Sequence, residues 1–342
     1  MGTRPMKSFI RLLTLGALLA SPALLSAKIT RTVEKTFTVQ PGGNFKATTQ
    51  GGDITIRTAD ITEVRITAKQ VIRASTDKDA DEMLEKLSLT IEQNGNNIVA
   101  EAKYAKRTLG FRFGNWPPVQ VDFTITLPKR YNADLRASLA GTQGQVDAGL
   151  VKASINFDLK TSGGDIKVGD LCGNIRARTS GGDLKFDRID GEIDAHTSGG
   201  DIMLKEGTAR AKLGTSGGNI EVDRAGGPTE VSTSGGDITI KSVAQLLSAT
   251  TSGGDVYATI TEPLKQDTLL STSGGDVRVR MVKDAGFELD ASTSGGDVRA
   301  EGLTITIAKG GVGKSRLAGN VNGGGPRLKL RSSGGDISVR TD

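Results

Sequence analysis

The sequence predicts an all-β fold, a stacked β-solenoid of about 18–21-residue coils with two short strands per coil and one short N-terminal helix. Three observations support this prediction. The motif Thr-Ser-Gly-Gly-Asp returns at regular spacing, apolar and polar residues alternate between its copies, and 46 of 342 residues are Gly while aromatic residues make up 4%. Such repetition indicates a solenoid, because one two-strand unit cannot bury its own apolar face.

Residues 1–27 have the layout of a secretory signal peptide. A basic start is followed by the apolar run Leu12–Leu25 and by two small residues that end at Ala27. We expect cleavage after Ala27, with Ala23 as the alternative site and an uncleaved anchor as the alternative role. The protein is therefore predicted to be exported to the periplasm, the cell surface or the medium, without a transmembrane span in the mature chain.

Residues 28–135 are less regular and are predicted to be a β-rich region joined to the stack. A helix is expected over 77–88, since its apolar residues are spaced for one face and acids fill its first turns. Segments 87–93 and 97–103 are expected to form a hairpin. A copy of the motif with Gln in place of Ser begins at Thr49, which favours a coil here too.

Residues 136–342 carry the solenoid repeats. The motif begins at Thr161, Thr179, Thr197, Thr233, Thr251, Thr272 and Thr293, with an Asn219 variant that begins at Thr215 and a Ser variant that begins at Ser332. The spacing is 18 residues as far as Thr251, and then 21, 21 and 39. The last interval equals one 18-residue and one 21-residue coil, which predicts that one coil there has lost its motif.

Alternation with a period of two assigns a direction to each side chain. The Thr column and residues such as Ile238 point inward, so the Thr residues are expected to form a buried hydroxyl ladder. The Gly pair is expected to supply positive φ and close backbone approach, and the Asp to bond turn amides as in an Asx turn. A second turn is expected around Cys172. Outward positions such as Lys167 are expected to be solvated and include no converging acids.

Composition excludes several classes of protein. The chain has 44 Lys and Arg against 39 Asp and Glu, and three of the basic residues lie in residues 1–27, which leaves 41 − 39 = +2 for the rest. This balance disfavours a nucleic-acid partner. The single Cys172 and the single His196 exclude a Cys/His zinc site and an intrachain disulfide. No cofactor is predicted.

The sequence resembles the bacterial exported putative-adhesin family, a domain of unknown function with repeated Ser-Gly-Asp turns. The resemblance rests on Gly51–Ile56, Ile91–Gly95, Ile125–Pro128, the stacked Ser-Gly-Gly-Asp coils and the closing Ser332–Ile337. It covers nearly all of the mature chain, and here the coils have Gly-Gly where relatives often have one Gly. The resemblance implies a β-solenoid and supplies no catalytic residues.

Two sequence features suggest a ligand site, but for each of them other residues favour a structural role. Residues Lys309–Ser315 read Lys-Gly-Gly-Val-Gly-Lys-Ser like a phosphate loop, but no helix-forming segment follows, so we interpret them as a glycine-rich turn between coils. The Asp column suggests calcium, but one acid per coil is too few for a calcium β-roll, so turn capping is favoured.

The loop from Tyr104 to Pro118 departs from the repeat. It concentrates aromatic and basic side chains, and the candidate partner contacts are Tyr104, Phe111, Arg112, Phe113 and Trp116. Such residues anchor interfaces. The alternative, which we prefer, is a hydrophobic lid over an open end of the solenoid, where strand edges need cover.

The predicted function is a non-catalytic exported structural or adhesive module of the envelope or surface, with an unidentified envelope, glycan or protein partner. The alternatives are a carbohydrate-active enzyme on a β-helix scaffold and an envelope polymer that associates end to end. No cluster of acids and bases that would indicate catalysis is recognisable in the sequence.

Overall fold

A computed structural model describes residues 28–104, 117–128, 130–137, 146–148 and 151–341. The signal-peptide prediction for residues 1–27 therefore lies outside the described residues. Strands make up nearly all of the regular structure of the described chain, which confirms the all-β prediction, and most of them stack as parallel coils.

The N-terminal part holds eight strands and one helix. They are β1 (Ile29–Thr38), β2 (Asn44–Thr49), β3 (Ile54–Ala59), β4 (Glu63–Ile72), α1 (Asp77–Leu84), β5 (Leu87–Asn94), β6 (Asn97–Tyr104), β7 (Val119–Pro128) and β8 (Asn132–Ala137).

The remaining nineteen strands complete the described stack. They are β9 (Val146–Ala148), β10 (Val151–Thr161), β11 (Ile166–Val168), β12 (Leu171–Arg178), β13 (Leu184–Asp190), β14 (Ile193–His196), β15 (Ile202–Gly207), β16 (Ala211–Gly214), β17 (Ile220–Ser232), β18 (Ile238–Thr250), β19 (Val256–Ile260), β20 (Thr268–Ser271), β21 (Val277–Met281), β22 (Phe287–Thr293), β23 (Val298–Glu301), β24 (Ile305–Gly313), β25 (Arg316–Val321), β26 (Arg327–Ser332) and β27 (Ile337–Thr341).

Two parallel ladders run along the stack. The A ladder contains the strands that follow each Gly-Gly-Asp turn, in the spatial order β1-β4-β7-β3-β9-β11-β13-β15-β17-β18-β19-β21-β27-β23. The B ladder contains the strands that precede each turn, in the order β5-β6-β2-β8-β10-β12-β14-β16-β17-β18-β20-β26-β22-β25-β24. The long strands β17 and β18 belong to both ladders.

Spatial order departs from chain order at both ends. The Ser332 coil, β26–β27, lies between the Thr272 coil and the Thr293 coil. The prediction of a coil without a motif is therefore wrong, because the 39-residue interval holds the antiparallel hairpin β24–β25, which extends the B ladder beyond β22. At the other end, the Thr49 coil lies inside the β6–β7 coil.

Inward rows of aliphatic side chains form one continuous core between the ladders. The predicted direction of the side chains is confirmed: Ile238 is fully buried, while Lys167 is partly exposed. The Thr residues that begin the motifs, from Thr161 to Thr293, are at most 8% exposed, which confirms the ladder. Each of these hydroxyls from Thr179 onward donates to the second-Gly carbonyl of a neighbouring coil, as Thr197 does to Gly182 at 2.9 Å.

The Gly pairs allow close approach between neighbouring coils and do not supply positive φ. None of the pairs from Gly163 to Gly335 has positive φ; only Gly52, in the outlying motif, does. A Cβ on the second Gly, such as Gly200, would overlap the backbone carbonyl of the coil below, because the coils approach closely at this corner. The expectation of positive φ is therefore wrong for these coils, and that of close approach is confirmed.

Three further local expectations need correction. Helix α1 ends at Leu84 rather than at 88, because Leu87 begins β5 and pairs with Tyr104. Cys172 lies in β12 rather than in a turn, since its backbone stays paired with the next coil at Asp190. The segment Lys309–Ser315 runs from β24 into the β24–β25 turn, and strand β25 follows where a phosphate loop needs a helix.

Candidate functional site

A column of Asp residues runs along the Gly-Gly-Asp corner. Each Asp accepts the backbone amide of the Asp in the next coil, as Asp165 does from Asp183 at 3.0 Å, with Asn219 in the same role. The predicted amide bond is present, but it joins neighbouring coils instead of closing a local Asx turn. At the C-terminal end the column continues in spatial order through Asp336 to Asp297, and at the N-terminal end Asp122 accepts the backbone amide of Asp53 in the same way.

The second oxygen of many column carboxylates faces a Lys or Arg. Partial burial works to raise the pKa of Asp183, but the Asp201 amide and the Lys185 ammonium outweigh it and hold that pKa below its ordinary value. Arg278 binds both Asp255 and Asp276, at 3.0 and 2.6 Å. Among the described residues no group of three His, Cys, Asp or Glu side chains converges as a metal site would require.

A groove of about 900 Å³ lies on the B ladder. It crosses β2, β8, β10, β12, β14 and β16. Its rim is built from Asn44, Lys46, Asn132, Asp134, Asn156, Asp158, Asn174, Arg176, Glu192, Asp194, Arg210 and Lys212, with core residues such as Phe157 beneath. We call it the B groove.

One edge of the B groove is a ladder of asparagines. The Asn44 amide donates to Asn97 at 3.0 Å, and Asn132 donates to Asn44 at 3.1 Å. Asn174 donates to Asn156 at 3.2 Å and accepts the backbone amide of Glu192 at 2.9 Å. Each amide thus has a partner in the neighbouring coil, which fixes its orientation.

Charged side chains form the outer side of the B groove. Asp194 binds Arg178 at 2.6 Å and lies 3.6 Å from Arg176. Lys160 binds Asp158 at 2.7 Å. Arg176 and Lys212 are the most exposed of the ion-paired groove cations, at 63% and 64%. The groove therefore presents donors and acceptors of both signs, spaced by one coil, or about 4.8 Å.

His196 is exposed next to the B groove, as its outward position predicted. Its Nδ1 would lie 3.0 Å from a Cβ at Gly214, so the absent side chain at Gly214 leaves room for the imidazole. The expected cross-coil ion pair beside it, Arg178 with Asp194, is present.

Of the five predicted contact residues, only Tyr104 lies within the described residues; Phe111, Arg112, Phe113 and Trp116 lie outside them. Tyr104 is partly buried, its hydroxyl donates to the Val119 carbonyl, and the Val119 amide donates to that hydroxyl at 3.0 Å. Burial raises the pKa of Tyr104 to about 12, and the bond to Val119 opposes this only in part.

The strands on either side of residues 105–118 are placed by their register. Strand β6, which precedes this segment, pairs with β2, and strand β7, which follows it, pairs with β3. The base of the loop packs on the turn Gln50–Asp53: the Tyr104 amide donates to Gln50 at 2.7 Å, and Pro117 occupies the space where Gly51 lacks a Cβ.

These ladders define a parallel β-solenoid of stacked Ser-Gly-Gly-Asp coils with a polar groove on one ladder. The chain belongs to the Toastrack DUF4097 family, whose model matches residues 44–340. This confirms the resemblance noted in the sequence.

The solved structures that this chain matches share little sequence with it. A putative lipid binding protein from Parabacteroides distasonis is 13% identical, with a TM-score of 0.40 over 91% of this chain and 96% of that one. A putative adhesin from Bacteroides fragilis is 12% identical, with a TM-score of 0.35 over 91% and 97%. A putative cell adhesion protein from Clostridium sporogenes is 12% identical, with a TM-score of 0.24 over 91% and 100%.

A search among curated proteins gave no match. Helix α1 is the one helix in the described part of the chain, and nothing there has the length and apolar character of a membrane-crossing helix.

Proposed function

We propose that this protein is a non-catalytic, exported adhesive module of the bacterial envelope, and that the B groove is its contact surface for a linear polar glycan. The observation that supports the proposal is the continuity of the groove across six neighbouring strands. A polysaccharide offers hydroxyl donors and acceptors along its length, and the groove offers amides, carboxylates and cations at one set per coil.

The pairing within the groove favours binding over catalysis. Asp194 is held by Arg178 and Asp158 by Lys160, so both carboxylates are engaged by cations instead of being placed together for acid–base catalysis. A carbohydrate-active enzyme is therefore the weaker candidate.

Glycan binding is tested with the mature chain, residues 28–342, against soluble polysaccharide fractions from bacterial envelopes. Arg176→Ala with Lys212→Ala removes two exposed cations of the B groove. We expect the dissociation constant to rise at least about tenfold. Lys205→Ala with Lys241→Ala removes two comparable cations from the A ladder, which pair with Asp187 and Asp223, and should leave binding unchanged.

Equal binding by the groove variant and the wild type would place the contact elsewhere. Shortening of the polysaccharide during incubation with the wild type would contradict the non-catalytic assignment.

Export is tested separately by N-terminal sequencing of the protein recovered from envelope fractions. We expect the recovered chain to begin near Lys28. An intact chain recovered from the cytosol would contradict the proposal.

A further inference from the structure

We propose that copies of this chain associate head to tail, with the C-terminal end of one stack packed against the N-terminal end of the next. The N-terminal end is formed by β1, β5 and α1, and the C-terminal end by β23 and the hairpin β24–β25. This inference is independent of the proposed glycan binding.

The first argument is the apolar surface left at each end. In mid-stack every inward side chain is covered by the coils above and below. At the N-terminal end Val33, Phe37 and Leu89 remain only partly buried, and at the C-terminal end so do Val298 and Ile305. The core rows stop without a final layer, and a second copy would supply that layer.

The second argument is the edge strand β24. Among the described residues it pairs only with β25, so its other edge presents free backbone groups. Ile307 and Val312 on this strand are 45% and 65% exposed, and they are two of the three large hydrophobic residues that the described surface exposes. Protein edges are normally protected from such exposure by charge or cover.

The third argument is opposite charge at the two ends. The hairpin β24–β25, residues 305–321, contains three Lys or Arg and no acid, and Lys314 and Arg316 are exposed on it. Residues 76–86, which include α1, contain five acids and two lysines. This helix lies at the N-terminal end, where Asp81 binds Arg31 of β1 at 2.6 Å.

Charge decides the pairing of the ends. Two C-terminal ends would bring lysines and arginines together, whereas a C-terminal end against an N-terminal end brings unlike charges together. Such a contact joins different surfaces that lie at opposite ends of the stack, so its repetition extends the stack into a filament.

The experiment is sedimentation velocity of the mature chain over a range of protein and salt concentrations. We expect the sedimentation coefficient to rise with protein concentration and this rise to weaken with salt. Ile307→Ser with Val312→Ser, at exposed positions, should raise the dissociation constant at least about tenfold without a change in thermal stability. Val99→Ser, at the third exposed hydrophobic residue, is the control and should associate normally.

Charge reversal makes the test specific to the two ends. Glu82→Lys with Glu85→Lys gives a protein with two basic ends, and Lys314→Glu with Arg316→Glu gives one with two acidic ends. Lysines near the C-terminus of α1 also favour the helix dipole, which protects folding. Each variant alone should stay monomeric, and an equimolar mixture should associate.

A wild type that is monomeric throughout, or a mixture that fails to associate, would overturn the proposal. So would binding of the monomer to vesicles of anionic phospholipid that the Lys314→Glu, Arg316→Glu variant loses, if the wild type does not self-associate. In that case the basic end would serve a membrane surface instead.

Discussion

The middle of the stack and its two ends use the same turn in different ways. From Thr161 to Met281 each coil lies on the one before it, and Thr, Gly and Asp repeat the same contacts with the coil below. At the ends, antiparallel strands close the ladders and one coil at each end is out of chain order. Uniform coils therefore extend the stack, and irregular segments terminate it at each end.

The coil order at the C-terminal end predicts an all-or-none difference in cross-linking. In a Cys172→Ser background, Arg278→Cys with Ser338→Cys should form a disulfide, because these residues are direct neighbours on adjacent strands. Arg278→Cys with Arg299→Cys should not, because β27 lies between β21 and β23. The disulfide is detected by non-reducing electrophoresis after mild oxidation. The reverse result would show that the Thr293 coil lies directly on the Thr272 coil, as in chain order.

In the middle of the stack, Ile238→Asp should cost several kcal/mol of unfolding free energy. The side chain is fully buried between Ile220 and Val256, and the new carboxylate would have no partner there. Lys167→Asp, at an outward position, should change the free energy by about 0.5 kcal/mol or less. Equal shifts in urea unfolding would show that the strand register is wrong.

Replacement of Phe111, Phe113 and Trp116 by Ser distinguishes the lid prediction from the contact-site prediction for the loop from Tyr104 to Pro118. As a lid, the three rings should be worth several kcal/mol at about 25 cal/mol per Å² of buried apolar area, and the variant should aggregate. Thermal unfolding and light scattering measure both effects. Unchanged melting together with lost envelope binding would favour a contact site.

One added carbon atom at the Gly-Gly-Asp corner is expected to destabilise the stack. Gly200→Ala should cost about 3 kcal/mol, because its Cβ would overlap the backbone carbonyl of Gly182, which cannot move without disturbing the ladder. Gly199→Ala is the matched control, since its nearest contact would be an ordinary 3.5 Å. Similar melting temperatures for the two variants would contradict the role given to the second Gly.

The smallest predicted effect is the alkaline titration of Tyr104 at the base of the outer loop. Between pH 10 and about 12 the unfolded chain loses the phenol proton while the folded chain retains it. The unfolding free energy should therefore fall across this range, by about 2 kcal/mol in total. Tyr104→Phe should lack this component, so the difference between the two urea profiles isolates it; parallel profiles would contradict the prediction.

The contacts that repeat in every coil were predictable from the sequence. The order of the coils was not, where spatial order departs from chain order. Alternation was enough to place Ile238 inside and Lys167 outside, and the Thr column inside as well. The 39-residue interval is compatible with a coil that has lost its motif and also with a final coil that lies between two earlier ones. Spacing alone cannot distinguish them, because it carries no information about which strands pair. Only the ladder shows that Ser332 lies between Thr272 and Thr293.

The B groove was missed for a related reason. Its asparagines come from segments far apart in sequence, and only Asn156 and Asn174 are separated by the 18-residue period. An Asn immediately before the first inward residue of a strand was the available signal, as at Asn44 before Phe45. That signal gains meaning only when Asn97, Asn44 and Asn132 are known to be neighbours.

The inserted last coil also affects the order in which the chain can be assembled. A chain delivered from its N-terminus can add the regular coils one at a time, each on an existing edge. The Thr293 coil has no edge to join until β26 and β27 have arrived, because both of its ladder partners in the stack belong to that final segment. Strands β26 and β27 are therefore needed to complete this end of the stack. A chain without them would keep the open edges of β20 and β21.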